Sequence, residues 1–175
     1  MIIDREGDIL KSSQAIICHQ VNCFGVMGGG LALQIKNMYP DVYKEYKQLC
    51  DTINSDSFKG RTQFCSVIHN ETKLLTAQDR LPITESYSVK YIANMFSQYN
   101  YGTEKRHTNY DWLQRCLKEV WRFAYDHRIY QVAIPYKIGC GLAGGDWDFV
   151  RYIIDDLFAH GSRIDAIIYK YDGGK

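Results

Sequence analysis

Residues 133–150 read AIPYKIGCGLAGGDWDFV, and they pass from an apolar run through four glycines to an amphipathic run. Glycine loses more backbone entropy on folding than any other residue, so a cluster of four indicates a special demand on the backbone. A strand, a glycine loop and a helix in this order place free backbone N–H groups at a helix N-terminus, where an anion is favoured. The stretch therefore predicts an anion site between a strand and a helix.

A second stretch repeats this arrangement near the N-terminus. Residues 16–35, IICHQVNCFGVMGGGLALQI, contain another four glycines between an apolar strand pattern and a helical pattern. Two such loops can face each other across the carboxyl edge of one sheet and hold one phosphate each. The pair predicts a diphosphate ligand, although each loop alone is also explained by a tight turn.

Two better-known phosphate motifs do not fit the glycines. Gly139, Gly141 and Gly144 match G-x-G-x-x-G, but only 30 residues follow Gly145. The acidic residue at the required distance, Asp165, precedes its strand, whereas a Rossmann domain needs it after the strand. No Gly-Lys-Ser/Thr follows either loop, which excludes a P-loop.

Strand and helix patterns alternate along the whole chain. Strands are predicted at 1–4, 14–21, 61–68, 72–78, 89–96, 130–136 and 164–171. Helical spacing covers 30–51, with a break at Pro40, and 108–128, with Thr108 as N-cap. A last helix is expected at 146–161, between an Asp146 N-cap and a Gly161 C-cap. This alternation predicts one α/β domain over residues 1–175, with helices on both faces of the sheet.

The composition is that of a globular protein, with 46% hydrophobic and 23% charged residues. The N-terminus lacks a secretory pattern and no run is long enough to span a membrane, so a cytoplasmic protein with reduced cysteines is expected. A net charge of +1 gives no electrostatic basis for duplex DNA binding. No Cys/His set has metal-ligand spacing, so neither a metal nor a cofactor is expected.

The segments NCFGVMGGGLALQI and IPYKIGCGLAGGDW resemble the two phosphate-embracing loops of macrodomains, which are ADP-ribose-binding modules. The chain is most similar to the branch with terminal ADP-ribose protein glycohydrolases and the yeast ADP-ribose-1″-phosphate phosphatase, and the likeness covers nearly its whole length. The resemblance implies a three-layer α/β/α sandwich with a mixed, mostly parallel six-stranded sheet.

The resemblance also implies a set of ligand-binding residues. Asp8 would accept a hydrogen bond from the adenine amino group, beside the backbone of Ile9, and Asn22 and Cys23 would lie near the distal ribose. Tyr169 or Tyr171 would flank adenine. The diphosphate would be held by Gly28, Gly29, Gly30 and Leu31 on one side and by Ile138, Gly139, Cys140, Gly141, Leu142 and Gly144 on the other. Simpler roles remain open, because Asp8 can cap a turn, Asn22 can bond a neighbouring backbone group and either tyrosine can pack in the core.

The sequence says less about which reaction the site performs than about which ligand it binds. Related hydrolases carry a lysine where this chain has Ser97 and Gln98, and some carry an aspartate where it has Ala143. The remaining candidates for catalysis are Asn22, Asp146 and Gln98, with a water held by Asn22 and the ligand's own phosphate as one mechanism. Asp146 is better explained as a helix N-cap, and His19 is expected to be a core histidine.

Three functions therefore stay open from the sequence. The first is an enzyme that hydrolyses an ADP-ribosyl linkage or ADP-ribose 1″-phosphate. The second is a non-catalytic reader whose partners are ADP-ribose or ADP-ribosylated protein or nucleic acid. The third, disfavoured by the near-zero net charge, is a module for nucleotides or single-stranded RNA. Its candidates for base stacking are Tyr87, Tyr91, Tyr99, Tyr101 and Tyr110.

Overall fold

Six strands form one sheet in the computed structural model, which describes residues 1–71, 86–159 and 162–171. The strands are β1 (Ile2–Glu6), β2 (Ile16–Gln20), β3 (Thr62–Glu71), β4 (Ser86–Met95), β5 (Gln131–Pro135) and β6 (Asp165–Lys170). Their order across the sheet is β1-β6-β5-β2-β4-β3. All neighbours pair in parallel except β3, which lies antiparallel to β4 at one edge. The predicted mixed, mostly parallel sheet is confirmed, and the strand expected at 72–78 lies outside the described residues.

Within the described residues, four α-helices cover the two faces of this sheet. They are α1 (Gly30–Met38), α2 (Pro40–Thr52), α3 (Tyr110–Asp126) and α4 (Trp147–Phe158). Ile16 of β2 packs in the cluster that contains α3 and α4, whereas the next residue, Ile17, packs with α1 and α2. Because successive side chains of a strand point to opposite faces, every central strand buries both of its faces. The result is the predicted three-layer α/β/α arrangement.

The ends of the helices follow local side-chain chemistry. Pro40 is the first residue of α2, where its missing N–H costs nothing, and this explains the break between α1 and α2. Asp146 caps α4 as expected. The predicted N-cap Thr108 is wrong by one residue, since Asn109 accepts the hydrogen bond from the Trp112 N–H at 3.1 Å. Thr108 has a different role in the site described below. The predicted C-cap Gly161 is outside the described residues.

The topology places a crevice at the centre of the sheet. From β2 the chain leads to β3 and β4 on one side of β2, whereas from β5 it leads to β6 on the other side. In open α/β sheets, ligands bind at such a switch point, outside the carboxyl ends of the strands. Both glycine loops leave the sheet there, the first after β2 and the second after β5. Among the described residues, no helix has the length and apolar character that crossing a bilayer would demand.

Candidate functional site

A cleft of about 540 Å³ opens at the carboxyl ends of β2, β4 and β5. Its volume lies in the range of small-molecule sites, which is roughly 300–1,000 Å³. Three loops form it: 21–29 after β2, 96–109 after β4 and 136–146 after β5. The lining residues are His19, Gln20, Val21, Asn22, Val26, Gly28, Gly29, Gly30, Leu31, Ala32, Gln98, Tyr101, Gly102, Thr103, Pro135, Tyr136, Lys137, Ile138, Gly139, Gly141, Leu142 and Ala143.

The two glycine loops present unpaired backbone donors to this cleft. The loops approach each other closely, because a Cβ on Gly29 would lie 3.0 Å from a methyl carbon of Leu142. Several N–H groups along the lining have no acceptor among the described residues, and the helix geometry of α1 leaves those of its first turn unpaired. They belong to Gly28 and Gly29 in the first loop, to Gly30, Leu31 and Ala32 in the first turn of α1, and to Gly139, Gly141, Leu142 and Ala143 in the second loop. Such groups bind an anion without any charged side chain.

A hydrogen-bond network ties the three loops together beneath the cleft. The Gln20 amide nitrogen donates to Gln98 Oε1 at 2.6 Å and to Thr108 Oγ1 at 2.9 Å. The amide oxygen of Gln20 accepts from Ser97 Oγ at 2.7 Å. Thr108 Oγ1 in turn donates to the Gly139 carbonyl oxygen at 2.6 Å. The network fixes the second glycine loop against the strand that leads into the first.

Asn22 shapes the first loop from within. Its Oδ1 accepts hydrogen bonds from the N–H of Phe24 at 3.0 Å, from the N–H of Val26 at 3.3 Å and from the Tyr46 hydroxyl at 3.0 Å. Its Nδ2 donates to the Val26 carbonyl oxygen at 2.6 Å. Asn22 lines the cleft, but the oxygen that could hold a water is occupied by the loop's own donors.

Ten of the predicted site residues line the cleft and come together there. Loop 96–109 contributes Gln98, whose Nε2 also donates to the Asn100 carbonyl oxygen at 2.8 Å. The ten are Asn22, Gly28, Gly29, Gly30, Leu31, Ile138, Gly139, Gly141, Leu142 and Gln98. Neighbouring Gly144 is outside the lining, where its N–H closes a turn onto the Gly141 carbonyl oxygen at 3.0 Å.

The predicted adenine contacts lie apart from the cleft lining. The Asp8 carboxylate accepts from the Leu10 N–H at 2.9 Å and caps a 3₁₀ turn, in which Ile9 is buried. The Tyr169 hydroxyl donates to Gln14 Oε1 at 2.7 Å, and its ring packs in the core on the α1–α2 face. Tyr171 is exposed at the end of β6.

The two thiols near the loops are also turned away from the cleft. Cys23 is buried with its Sγ donating to the Gln98 carbonyl oxygen at 3.5 Å, and burial raises the pKa of this thiol to about 12. Cys140 Sγ donates to the Ile138 carbonyl oxygen at 3.3 Å, and burial raises its pKa to about 11. Both thiols are protonated at neutral pH, so neither is a nucleophile.

Asp146 does not line the cleft, and its carboxylate is used by α4. Its Oδ1 accepts from the N–H groups of Asp148 at 2.8 Å and Phe149 at 3.2 Å. A carboxylate in this position satisfies two N–H groups that the helix itself leaves unpaired. The geometry therefore supports the capping role and gives no support to Asp146 as a base.

The capping role of Asp146 predicts a stability effect. Asp146→Ala is expected to lower the free energy of unfolding by about 1 kcal/mol, because the first turn of α4 loses its acceptor. Asp146→Asn is the matched control, since the amide oxygen can still accept. Thermal unfolding of both variants checks this. Equal stability of the alanine and asparagine variants would contradict the capping role.

His19 lines the cleft, although the sequence suggested a core histidine. Its side chain is buried, and its Nε2 lies 2.5 Å from Asn94 Oδ1. The Asn94 Nδ2 donates to Gln63 Oε1 at 3.0 Å, which directs the Asn94 oxygen toward the ring. Burial lowers the pKa of His19 to about 4, from an ordinary value of 6.5. The imidazole is therefore neutral at pH 7.

This lowered pKa predicts a loss of stability in mild acid. Between pH 6.5 and pH 4 the unfolded chain binds a proton at His19 that the folded chain does not. At pH 5 the difference amounts to about 2 kcal/mol of unfolding free energy relative to pH 7.5. His19→Gln keeps a donor for Asn94 and does not titrate. Between pH 7.5 and pH 5 its unfolding free energy should therefore fall by about 2 kcal/mol less than that of the wild type. Urea unfolding at the two pH values checks this, and the same pH dependence in both proteins would contradict it.

Sequence reasoning missed the polar residues at the ends of the central strands. Gln20, Ser97 and Thr108 were not predicted as site residues, yet they hold the loops in register. Their signal was positional, since a polar residue that follows an apolar parallel strand lies at the ligand-binding edge. Among the tyrosines considered for base stacking, Tyr99 and Tyr101 are exposed beside the cleft, whereas Tyr91 packs against Phe123.

Comparisons with known proteins agree with this fold. The macrodomain of Mycobacterium tuberculosis DarG superposes with a TM-score of 0.73 at 25% identity, covering 97% of both chains. Thermosipho africanus DarTG, solved in complex with ADP-ribose, gives a TM-score of 0.69 at 21% identity and covers 99% of this chain and 42% of its own. At that identity the second likeness shows the fold alone.

Curated sequences give a similar picture. The DNA ADP-ribosyl glycohydrolase of Mycobacterium tuberculosis is 26% identical over 174 residues, which are 99% of this chain and 43% of that protein. The chain thus spans less than half the length of that relative. The ADP-ribose 1″-phosphate phosphatase of Saccharomyces cerevisiae is 40% identical over 53 residues, 29% of this chain and 30% of the enzyme. A model of the Macro domain family matches residues 18–154, well over half of the sequence, and the chain therefore belongs to the Macro domain family.

Proposed function

We propose that this macrodomain binds ADP-ribose, free or attached to a macromolecule, with the diphosphate between the two glycine loops. The observation that carries the proposal is a set of N–H groups without an acceptor among the described residues, on two loops that line one cleft and approach each other at Gly29 and Leu142. Two loops supply donors for two phosphates. Lys137 is the one charged side chain in the lining that the described residues form, so the anion would be held mainly by the backbone.

The order of the strands suggests how the ligand lies. The β1–β6 edge and Asp8 are on one side of the glycine loops, and loop 96–109 is on the other. With adenine toward Asp8, the distal ribose would reach Gln98 and Asn22. The free oxygen of the Asp8 carboxylate could accept from the adenine amino group while the other caps the 3₁₀ turn. Two curated relatives, a DNA ADP-ribosyl glycohydrolase and an ADP-ribose 1″-phosphate phosphatase, are named for substrates that contain ADP-ribose, and they support the choice of ligand.

The position of the diphosphate can be tested directly by ³¹P NMR. Both phosphorus resonances of ADP-ribose are expected to shift and broaden on addition of the protein, because each phosphate meets its own loop. Inorganic pyrophosphate should compete with ADP-ribose and reverse these shifts. A shift in only one resonance, or no competition by pyrophosphate, would contradict the two-loop arrangement.

A second candidate function is hydrolysis of an ADP-ribosyl linkage, and the similarity to a DNA ADP-ribosyl glycohydrolase over 99% of the chain favours it. In this reaction a water would add its hydroxyl to C1″ of the distal ribose, and its proton would go to the leaving acceptor. No carboxylate lines the cleft among the described residues. The ligand's own phosphate would therefore take the proton from the attacking water and pass a proton on to the leaving acceptor as its bond to C1″ breaks, with Gln98 positioning the ribose.

Turnover assays distinguish an enzyme that hydrolyses the linkage from a reader that only binds ADP-ribose. The substrates are an ADP-ribosylated single-stranded oligonucleotide, an ADP-ribosylated protein and ADP-ribose 1″-phosphate, with release of ADP-ribose or phosphate as the readout. Gly141→Glu is the control for a contaminating activity, since its binding site would be blocked. Release by the wild type alone supports hydrolysis. Tight binding without release from any substrate would identify a reader.

The proposed position of adenine predicts that a substitution at Asp8 weakens the binding of ADP-ribose only. Asp8→Ala is expected to weaken ADP-ribose binding by about tenfold, the usual cost of one hydrogen bond to a charged group. Ribose 5-phosphate has no adenine, so its affinity should not change. Calorimetric titration of both ligands checks this, with Asp8→Asn as a control that keeps the cap on the 3₁₀ turn. Equal losses for the two ligands would move Asp8 away from adenine.

A further inference from the structure

One buried ring nitrogen in the cleft has no hydrogen-bond partner in the part of the chain that the structure describes. His19 is 2% exposed, and its Nδ1 makes no hydrogen bond within the described residues. Nearly all buried polar side-chain atoms in proteins have at least one partner, so each exception calls for an explanation. An unsatisfied buried acceptor costs about 1–3 kcal/mol.

The neighbouring network assigns the proton to the other ring nitrogen. Nε2 lies 2.5 Å from Asn94 Oδ1, which can only accept, so Nε2 carries the hydrogen. In the same arrangement the Asn94 Nδ2 donates to Gln63 Oε1 at 3.0 Å and to Cys65 Sγ at 3.6 Å, and both contacts favour the orientation in which Oδ1 faces the ring. Because the imidazole is neutral, Nδ1 presents a lone pair and needs a donor.

The position of His19 indicates which kind of donor would meet its Nδ1. It is the second-last residue of β2, the strand that leads into the first glycine loop, and it is one of the residues that line the cleft. The unpaired N–H groups of the loops suit a diphosphate, which has only acceptors. In ADP-ribose the donors next to the diphosphate are the hydroxyls of the two riboses.

We propose that His19 is a ligand-recognition residue whose Nδ1 accepts a hydrogen bond from a ribose hydroxyl of the bound ligand. This inference rests on the proposed binding of ADP-ribose and adds the chemistry by which the cleft recognises a sugar. The backbone N–H groups recognise the anion, and His19 recognises the hydroxyl beside it. A ligand with the diphosphate alone would leave Nδ1 unpaired.

The first test observes the ring nitrogen in the wild-type protein. With ¹⁵N-labelled histidine, the Nδ1 resonance of His19 should move toward the hydrogen-bonded position when ADP-ribose saturates the protein. Inorganic pyrophosphate, which occupies the loops without offering a hydroxyl, should leave it unchanged. If ADP-ribose binds but the resonance does not move, the role of His19 is wrong and the proposed function still stands. Equal movement with pyrophosphate overturns it as well, and absence of ADP-ribose binding overturns the proposed function together with it.

The second test identifies the ribose. His19→Phe keeps a ring of similar shape without the acceptor and should weaken ADP-ribose on the order of tenfold, with pyrophosphate affinity unchanged. Analogues of ADP-ribose that each lack one ribose hydroxyl, at 2′, 3′, 1″, 2″ or 3″, are then titrated into both proteins. The analogue that loses affinity for the wild type but loses none for the variant marks the hydroxyl that donates. If every analogue loses the same factor with both proteins, no hydroxyl is coupled to His19 and the inference fails.

Discussion

Gly141→Glu is expected to abolish ADP-ribose binding and to leave the fold intact. A Cβ on Gly141 would meet no heavy atom within 4 Å, and the residue lines the cleft, so the new side chain has room without strain. Its carboxylate would stand among the N–H groups proposed for a phosphate and repel the ligand. Like charges brought together in this way cost several kcal/mol, so a loss of more than about 100-fold in affinity is expected.

Two controls separate charge from size at this position. Gly141→Gln has nearly the same volume without the charge and should bind ADP-ribose more weakly than the wild type but more tightly than the glutamate variant. Gly141→Ala should bind with little change. Thermal unfolding should give the same midpoint for all of them. Undiminished binding by the folded glutamate variant would refute the diphosphate site.

The second large effect is expected for Gly139→Ala, which should destabilise the fold by roughly 3 kcal/mol. Gly139 has φ +71°, in the left-handed region that a residue with a Cβ adopts only at a cost. An added Cβ would lie 2.6 Å from Gln20 Oε1 and 2.9 Å from Thr108 Oγ1. Both atoms belong to the network that ties the three loops, so relief of the clash would break its hydrogen bonds.

Gly141→Ala is the matched control for this substitution as well. It lies two residues away in the same loop, outside the left-handed region and with open space at its Cβ. Urea unfolding should therefore show a large loss of stability for Gly139→Ala and almost none for Gly141→Ala. Similar stabilities of the two variants would mean that the loop adapts to a side chain at either position.

Much of the fold could be predicted because its signals are local. Apolar runs of strand length and the break at Pro40 are visible in a few residues each. The β1-β6-β5-β2-β4-β3 order cannot be read in this way, since it depends on packing between distant segments, and only the structure gives it. The N-cap of α3 was misplaced because Thr108 and Asn109 both have side chains that cap helices well. In the structure the Thr108 hydroxyl bonds to Gln20 and Gly139, so Asn109 caps the helix.

The glycine loops were the predictable part of the candidate site. Glycine clusters at the ends of two strands are visible in the sequence. They indicate an anion site because such a site needs exposed backbone N–H groups. The roles of individual side chains were harder to predict, because Asp8, Asn22 and Asp146 have the same chemistry in a cap as in a binding site. His19 could not be identified at all from sequence, since its unpaired Nδ1 results from the contact with Asn94 on the neighbouring strand.

Calorimetric titration with ADP-ribose, beside AMP and NAD at the same salt concentration, tests the central proposal most directly. AMP carries one phosphate and no distal ribose, and NAD blocks the distal ribose with nicotinamide. We expect ADP-ribose to bind with a stoichiometry near one and AMP and NAD to bind far more weakly. Equal affinities for ADP-ribose and AMP, or no binding of ADP-ribose, would mean that the glycines at 28–30 and 139–145 form turns only.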